Sequence, residues 1–291
     1  MDSPGTNNCC SAPRIEGYSI SHLTLSIRLQ EWIQESTVRN WWGRTFWCLV
    51  VLQALVTVSQ KRLLSRERVC LSPVTIQINS SLLSNLLEAY PTAANRLNGK
   101  TCDLSVAEKL EENLTSFLAA ATETSKIDHI VFTSGNDLHI GHVSSITIDQ
   151  VYAAGAVRFF APIILAKLSV KFLRSGPESS ITFTGGAGSQ RPPPNFAIAG
   201  AYTAGLEGLV RGLAVDLKPL RVNVVAVGAV HTEMLDKAVR SQSGLLEAFE
   251  CQTTVGKLGR PEDVAEAYIY VMKDHFITGS TIATNGGFLL A

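Results

Sequence analysis

The sequence lacks a net charge and any clustering of cysteine. Its 291 residues include 25 basic and 25 acidic side chains, so neither a basic surface for nucleic acid nor an acidic partner surface is indicated. The six cysteines are scattered, without a Cys-x-x-Cys pair or a His/Cys cluster at metal-ligand spacing. We therefore expect a protein that binds neither nucleic acid nor metal, with reduced thiols as in the cytoplasm.

One apolar run stands out in the amino-terminal part of the sequence. The run at residues 46–58 falls short of the roughly 20 residues that such a helix needs. It also lies too far along the chain for an ordinary signal peptide. A buried or misinterpreted segment is the favoured explanation, and a membrane anchor at 46–58 is the minor alternative.

Short β-branched runs alternate with helical patterns from residue 74 onward. Single helices are predicted over 147–173 and 201–220, and a short strand and turn over 99–105. Strands are predicted at VTIQI, IDHIVFTSG, SSITFTGGAG, RVNVVAVGAV and GSTIATNGG. The alternation predicts an α/β fold, a Rossmann-like, doubly wound parallel sheet in a single domain. Ligands of such sheets bind beyond the carboxyl ends of the strands.

Residues 1–42 carry no such alternation and are rich in Ser, Asn and Pro at first. We predict that they form a poorly ordered extension, and that the domain itself spans 43–291. The first βαβ unit of this domain is expected to be damaged or atypical, because the segment after Gly43 does not show the alternation of strands and helices seen from residue 74 onward.

Four segments, in this order and spacing, resemble the short-chain dehydrogenase/reductase family. They are CDLS (102–105), DHIVFTSG (128–135), GLVRGLAVDLKPLRVNVVAVGAVHTEM (208–234) and GRPEDVAEAYIYVMKDHFITGSTIATNGG (259–287). The resemblance covers residues 74–291 and implies an oxidoreductase that uses NADP on a small-molecule substrate. It further implies a homo-oligomer that pairs through the helices at 149–173 and 201–217.

The resemblance assigns cofactor contacts to four positions. Asp103 would meet the adenine edge, and Gly135 would line the cofactor groove. Val230 and Thr232 would meet the nicotinamide and pyrophosphate side. A helix cap is an equal alternative for Asp103, since an aspartate before a helical pattern commonly caps it.

The family's catalytic set is substituted. Its members use a Tyr acid, a Lys four residues later that lowers the Tyr pKa, a Ser that bonds the substrate oxygen, and an Asn that holds a relay water. The corresponding positions here are Ala199, Thr203, Gly186 and Arg158.

The nearest remaining hydroxyls are Tyr202 and Thr184, so the candidate catalytic residues are Arg158, Tyr202 and Thr184. A packing aromatic is the favoured alternative for Tyr202, because no lysine follows it four residues later. Arg158 carries a permanent charge among apolar neighbours, which favours a position facing a pocket.

Arg158, together with the pattern YxxGxxGLxRGLAVDLxPxRVN, resembles a fungal secondary-metabolism branch of the family. That branch includes reductase/Diels–Alderase proteins of prenylated indole alkaloid pathways. In those proteins the Arg acts with an Asp and a Trp from a Pro-rich segment after the fifth strand. Here QRPPPNFAIAG places Pro193 and Phe196 at those positions. Phe196 and Asn195 are the candidate substrate-pocket residues, with a surface loop the equal alternative for Asn195 and Arg191.

Glycine is absent between Gly43 and Ile76, where this family carries a Gly-x-x-x-Gly-x-Gly loop. A shifted reading frame forms each codon from the last base of one printed codon and the first two bases of the next. In that frame the segment TFWCLVVLQALVTVSQKRL can be read as V-L-V-[LF]-G-G-A-S-G-I-G-x-x-V-A-K-A. We expect that the loop is encoded here one frame away, with a divergent apolar segment as the alternative. In either case the phosphate cradle is missing, so weak or absent dinucleotide binding is predicted.

Three functions are therefore carried forward. The first is an NADP-dependent oxidoreductase of fungal secondary metabolism in an indole alkaloid pathway. The second is a redox-inert relative that binds and orients an intermediate for cyclisation. The third is a non-functional product whose first βαβ unit cannot form.

Overall fold

The protein contains a seven-stranded, all-parallel sheet, as the sequence predicts. The computed structural model describes residues 100, 102–123, 125–136, 138–232, 235 and 245–291, and the backbone of three earlier strands. The order across the sheet is β3-β2-β1-β4-β5-β6-β7. The strands are β1 Cys48–Val51, β2 Val74–Gln77, β3 Leu97–Gly99, β4 His129–Phe132, β5 Ser180–Gly186, β6 Arg221–Val227 and β7 Thr281–Thr284. The order reverses between β1 and β4, the switch point at which doubly wound sheets bind ligands.

Helices alternate with the strands from β3 onward, as parallel pairing requires. They are α1 Leu110–Ala121, α2 Ile148–Gly155, α3 Ala161–Phe172, α4 Ala197–Asp216, α5 Leu245–Cys251 and α6 Pro261–Lys273. Thr147 caps α2 with a capping box, its hydroxyl accepting from the Gln150 amide. Pro261 opens α6 at a position where no amide donor is needed.

The structure corrects several predicted boundaries. The single helix predicted over 147–173 is interrupted by a π-helical segment, Ala156–Phe160, between α2 and α3. Helix α4 begins at Ala197 rather than at 201, and β3 lies at Leu97–Gly99 rather than within 99–105. Helix α5 was not predicted, because its segment is short and its sequence shows no pattern that marks a helix.

The core lies between the central strands and the helices on both faces. All residues of β4 and the first six of β6 are buried, as expected for parallel strands covered on both sides. The rings of Phe132 and Phe183 meet edge to face on neighbouring strands, with centroids 6.1 Å apart. Helix α1 contributes the fully buried Leu114, Phe117 and Leu118 to the same core.

Strand β1 lies within the apolar run of the sequence. Its residues Cys48–Val51 pair in parallel with β2 on one side and β4 on the other. The strand part of the 46–58 run is therefore a central strand of the sheet. The predicted extension 1–42, the domain boundary at 43, the remainder of the 46–58 run and the shifted-frame loop lie outside the described residues.

One described helical run, Ile148–Phe172, has the length and composition of a membrane span. Half of its most apolar window is buried inside the protein, as in the core helix of a soluble protein. This run is therefore a weak indication of a membrane location.

Candidate functional site

Arg158 lies at the carboxyl edge of the sheet, meaning the edge at which the strands end. It belongs to the π-helical segment, a conformation that is rare and concentrated at functional sites. Its guanidinium lies against Gly135, which follows β4, and donates a hydrogen bond to the Asn136 carbonyl. A Cβ atom on Gly135 would lie 2.7 Å from the Arg158 Cζ atom, so only glycine leaves room for this arrangement.

Asn136 is a site residue that the sequence analysis missed. Its side-chain amide donates to the Ala153 carbonyl at 2.7 Å, which fastens the loop after β4 to helix α2. Its Oδ1 atom is buried, and no donor among the described residues reaches it. A buried acceptor of this kind calls for a ligand or water. No sequence signal marked it apart from its place directly after Gly135.

The structure puts the substituted catalytic positions at the same edge. Gly186 ends β5, and Ala199 is buried in the first turn of α4. The Thr203 hydroxyl bonds the Ala199 and Gly200 carbonyls of its own helix, at 2.9 and 3.0 Å. These positions therefore supply neither the acid nor the ammonium that the family's proton relay requires.

Tyr202 packs against helix α2 and the π-helical segment. Its hydroxyl donates to the Val151 carbonyl at 2.9 Å, and its ring lies 5.6 and 5.9 Å from the rings of Phe159 and Phe160. Partial burial, and to a lesser extent Tyr152, raises the Tyr202 pKa. These are the features of a packing aromatic, and the catalytic role of Tyr202 stays a prediction without support from the geometry.

Thr184 has its hydroxyl engaged inside the protein. It donates to the Phe132 carbonyl at 2.9 Å and lies 2.7 Å from the Tyr268 hydroxyl, which donates to it. Burial raises the pKa of Tyr268. Thr184 thus ties the ends of β4 and β5 to helix α6, and its predicted catalytic role stays a prediction.

Asp103 is an exposed residue that organises the turn before α1. Its carboxylate accepts from the Ser105 amide at 2.8 Å and from the Ser105 hydroxyl at 2.6 Å, and these bonds lower its pKa. Its carbonyl accepts from Asn113 at 2.8 Å. Asp103 does not cap the helix, because Val106 and Lys109 occupy the N-cap positions without a side-chain cap bond. Its bonds to Ser105 form an Asx-type turn, and adenine contact stays a prediction.

Val230 and Thr232 follow the end of β6. Val230 is buried and forms a parallel bridge with Gly259. The Thr232 hydroxyl accepts from the Leu235 amide at 3.4 Å. Both residues lie beyond a carboxyl end, where the resemblance places the nicotinamide, and their cofactor contacts stay predictions.

The Pro-rich segment reaches the loop that follows Gly135. The Asn195 carbonyl accepts from the Gly141 amide at 3.0 Å, and Asn195 itself has a φ of 65°, a conformation that asparagine tolerates better than most residues. Phe196 packs against Gly188, where a Cβ would lie 2.7 Å from its ring. The structure therefore brings Asn195 and Phe196 to the predicted edge, and their substrate contact stays a prediction.

A dinucleotide fits this chain poorly. The open face of Gly135, in the predicted cofactor groove, is filled by the Arg158 guanidinium. The sequence supplies no glycine between Gly43 and Ile76 for a turn that exposes amides to a pyrophosphate.

Comparisons with known proteins identify the family. A family model described as an SDR-like Rossmann domain matches residues 63–291. The chain is 43% identical over 218 residues to the short-chain dehydrogenase/reductase malC of Malbranchea aurantiaca, covering 73% of this chain and 83% of the relative. It is 36% identical over 214 residues to the short-chain dehydrogenase/reductase fsr5 of Gibberella fujikuroi, covering 73% and 81%.

Solved structures agree with the sequence matches. The structure of the MalC reductase/Diels–Alderase from Malbranchea aurantiaca has a TM-score of 0.76 and 38% identity, covering 85% of this chain and 98% of that one. A small-chain dehydrogenase in complex with NADPH has a TM-score of 0.67 at 21% identity, covering 85% and 100%, and shows the shared fold. The chain is a member of the short-chain dehydrogenase/reductase family, with a Rossmann-like fold.

Proposed function

We propose that this protein is a short-chain dehydrogenase/reductase-type enzyme of fungal secondary metabolism that acts on a small-molecule intermediate of an indole alkaloid pathway. The observation that carries the proposal is the 43% identity to malC across 83% of that relative, whose structure is described as a reductase/Diels–Alderase. Arg158, one of four positions at which the sequence departs from the usual relay, lies against Gly135, which supports the proposal.

Arg158 gives the proposed pocket a polar anchor. The guanidinium supplies donors beside Gly135, whereas the buried Asn136 Oδ1 atom is enclosed and would need its loop to move before a substrate could reach it. A substrate with a carbonyl or anionic group would accept from the guanidinium. Phe196 and Asn195 form the facing wall in this proposal. The chain holds and orients such a substrate, which reduces the entropy lost in a cyclisation.

A redox-inert role is the second candidate, and the substitutions at the relay favour it. Ala199, Thr203 and Gly186 leave no group to donate a proton to a substrate oxygen. We infer that the chain as it stands binds NADPH weakly or not at all, although NADP is the cofactor that the resemblance implies.

Restoring the alternative frame across codons 45–73 separates these functions. Both proteins would be titrated with NADPH by calorimetry and assayed for NADPH oxidation with an indole alkaloid intermediate. The restored protein is expected to bind NADPH, and the original is not. Micromolar binding by the original chain would overturn the inference about the cofactor. Cofactor binding without oxidation by the restored chain would favour the redox-inert role, and failure of both chains to bind the intermediate would refute the substrate class.

We further propose a cytoplasmic homo-oligomer. The helices in question carry exposed apolar side chains that pairing would bury, namely Ile148, Tyr152, Val170 and Val215. Light scattering coupled to size exclusion would give the mass, and a monomer at micromolar concentration would contradict the proposal.

A further inference from the structure

The segment Asn285–Ala291, which follows β7, is fastened at one end to the carboxyl edge of the sheet. A Cβ on Gly228, just after β6, would lie 2.7 Å from the Asn285 Cα atom, so the two backbones approach closely. The Gly286 carbonyl accepts from the Val255 amide and the Thr254 hydroxyl, both at 3.2 Å. Gly286 and Gly287 have φ values of 62° and 75°, which make the tight turn possible.

Arg191 connects the far part of this segment to the Pro-rich loop. Its guanidinium donates to the Phe288 carbonyl and lies 4.9 Å from the centre of the Phe288 ring. A guanidinium can donate in its plane while its face stacks on an aromatic ring. The hydrogen bond and the ring contact together hold Phe288 at its backbone and at its side chain.

The loop beyond Arg191 is stiff. Pro192, Pro193 and Pro194 follow it directly, and each proline fixes its own φ. The other end of the proline run is held by the bond from the Gly141 amide to the Asn195 carbonyl, at 3.0 Å. A tether at Arg191 therefore restrains the position of Asn195 and Phe196.

We propose that Arg191 is a positioning residue that couples the Asn285–Ala291 segment to the pocket wall formed by Asn195 and Phe196. The inference rests on the proposed function, in which that wall contacts the substrate. Loss of the Arg191–Phe288 contact would uncouple the segment from the loop, although the Arg191 amide would still bond the Ala187 carbonyl. It would weaken ligand binding without unfolding the sheet.

Hydrogen–deuterium exchange of the full chain tests the coupling directly. Arg191→Ala is expected to speed exchange of the Phe288, Leu290 and Gly141 amides about tenfold, as for the loss of one charged hydrogen bond and a ring contact. Shortening the chain after Gly287 should speed Gly141 exchange similarly. Arg174→Ala removes an arginine that pairs instead with Asp128, at 3.0 Å, and is the matched control. Unchanged Gly141 exchange in both Arg191→Ala and the shortened chain would overturn the coupling.

Indole is the probe for the pocket. Its dissociation constant, measured by NMR titration, should rise several-fold in Arg191→Ala and recover in part in Arg191→Lys, which keeps a cation over the ring. The thermal midpoint should stay within a few degrees of the original. Equal indole affinity in the original and Arg191→Ala would overturn the positioning role. If the original chain does not bind indole, the proposed substrate class fails, while the exchange result still decides the coupling.

Discussion

At the amino edge of the sheet, where β4, β5 and β6 begin, polar side chains are buried and bonded, whereas at the carboxyl edge the positions around Arg158 are glycine and alanine. His129, Ser180 and Arg221 are the first residues of these strands and are partners across the sheet. The His129 Nδ1 and Ser180 Oγ atoms lie 2.9 Å apart. Arg221 donates to the Val271 and Met272 carbonyls at 2.7 and 3.0 Å, which caps the end of α6.

The carboxyl edge carries less of this stabilisation around Arg158, although Thr184 ties the ends of β4 and β5 to helix α6 there. Gly135, Gly186 and Ala199 offer no side-chain polar group there, and the Asn136 Oδ1 atom meets no described donor. The two edges belong to the same strands, so a stable amino edge allows the catalytic positions to be replaced without loss of the fold. Substitutions at the amino edge should therefore act on stability, and those at the carboxyl edge should act first on binding.

Arg221→Ala should have the largest effect on stability. It removes the donors that satisfy several buried carbonyls, so the free energy of unfolding should fall by about 3 kcal/mol or more. Urea denaturation measures the change. Arg211→Ala, an exposed arginine on α4, is the control and should change stability by less than about 0.5 kcal/mol. A loss under about 1 kcal/mol for Arg221→Ala would remove the distinction between the edges.

The pH dependence of stability should come from His129. Burial, aided by the charges of Arg221 and His275, lowers its pKa from 6.5 to about 3. Between these values the unfolded chain binds a proton that the folded chain excludes. The free energy of unfolding should therefore fall as the pH drops through this window, by up to about 1.4 kcal/mol per pH unit.

Urea denaturation at pH 7 and pH 5 measures this slope. His129→Gln should flatten it, because no group at that position then titrates. His139→Gln, in the loop at the carboxyl edge, should leave it in place. A slope that survives in His129→Gln would assign the pH dependence to other residues.

Gly135→Ala should act at the carboxyl edge. The added methyl would lie 2.7 Å from the Arg158 Cζ atom, so the guanidinium must shift, at a cost of about 1–2 kcal/mol. The cost should shrink in an Arg158→Ala background, which a double-mutant cycle measures. Gly212→Ala is the control, because no atom lies within 4 Å of its added Cβ. An unchanged cost in the Arg158→Ala background would show that the two residues do not interact.

Tyr268→Phe should have the smallest effect. It removes the bond to Thr184 but leaves the Thr184 hydroxyl donating to Phe132, so a loss of about 1 kcal/mol in unfolding free energy is expected. Thermal unfolding measures it. If Thr184 is catalytic rather than structural, Tyr268→Phe would change turnover more than stability.

Much of the fold was predictable, because the carboxyl-terminal strands are continuous apolar runs separated by helical patterns. Strands β4, β5, β6 and β7 fall within their predicted segments. The π-helical segment was not predictable, since its apolar residues fit an uninterrupted helix equally well. The substitutions at Ala199, Thr203 and Gly186 are those that the family resemblance implies. The contacts of Arg158 with Gly135 and of Arg191 with Phe288 join residues distant in the chain, and only the tertiary fold reveals them.

The π-helical segment Ala156–Phe160 also sets a helical phase. A π turn closes over one more residue than an α turn, and each residue of an α-helix advances by about 100°. Deleting one residue from this segment would restore an uninterrupted α-helix and rotate one flanking helix by about that angle relative to the other. The direction in which Arg158 points thus depends on the number of residues in the turn as much as on their identity.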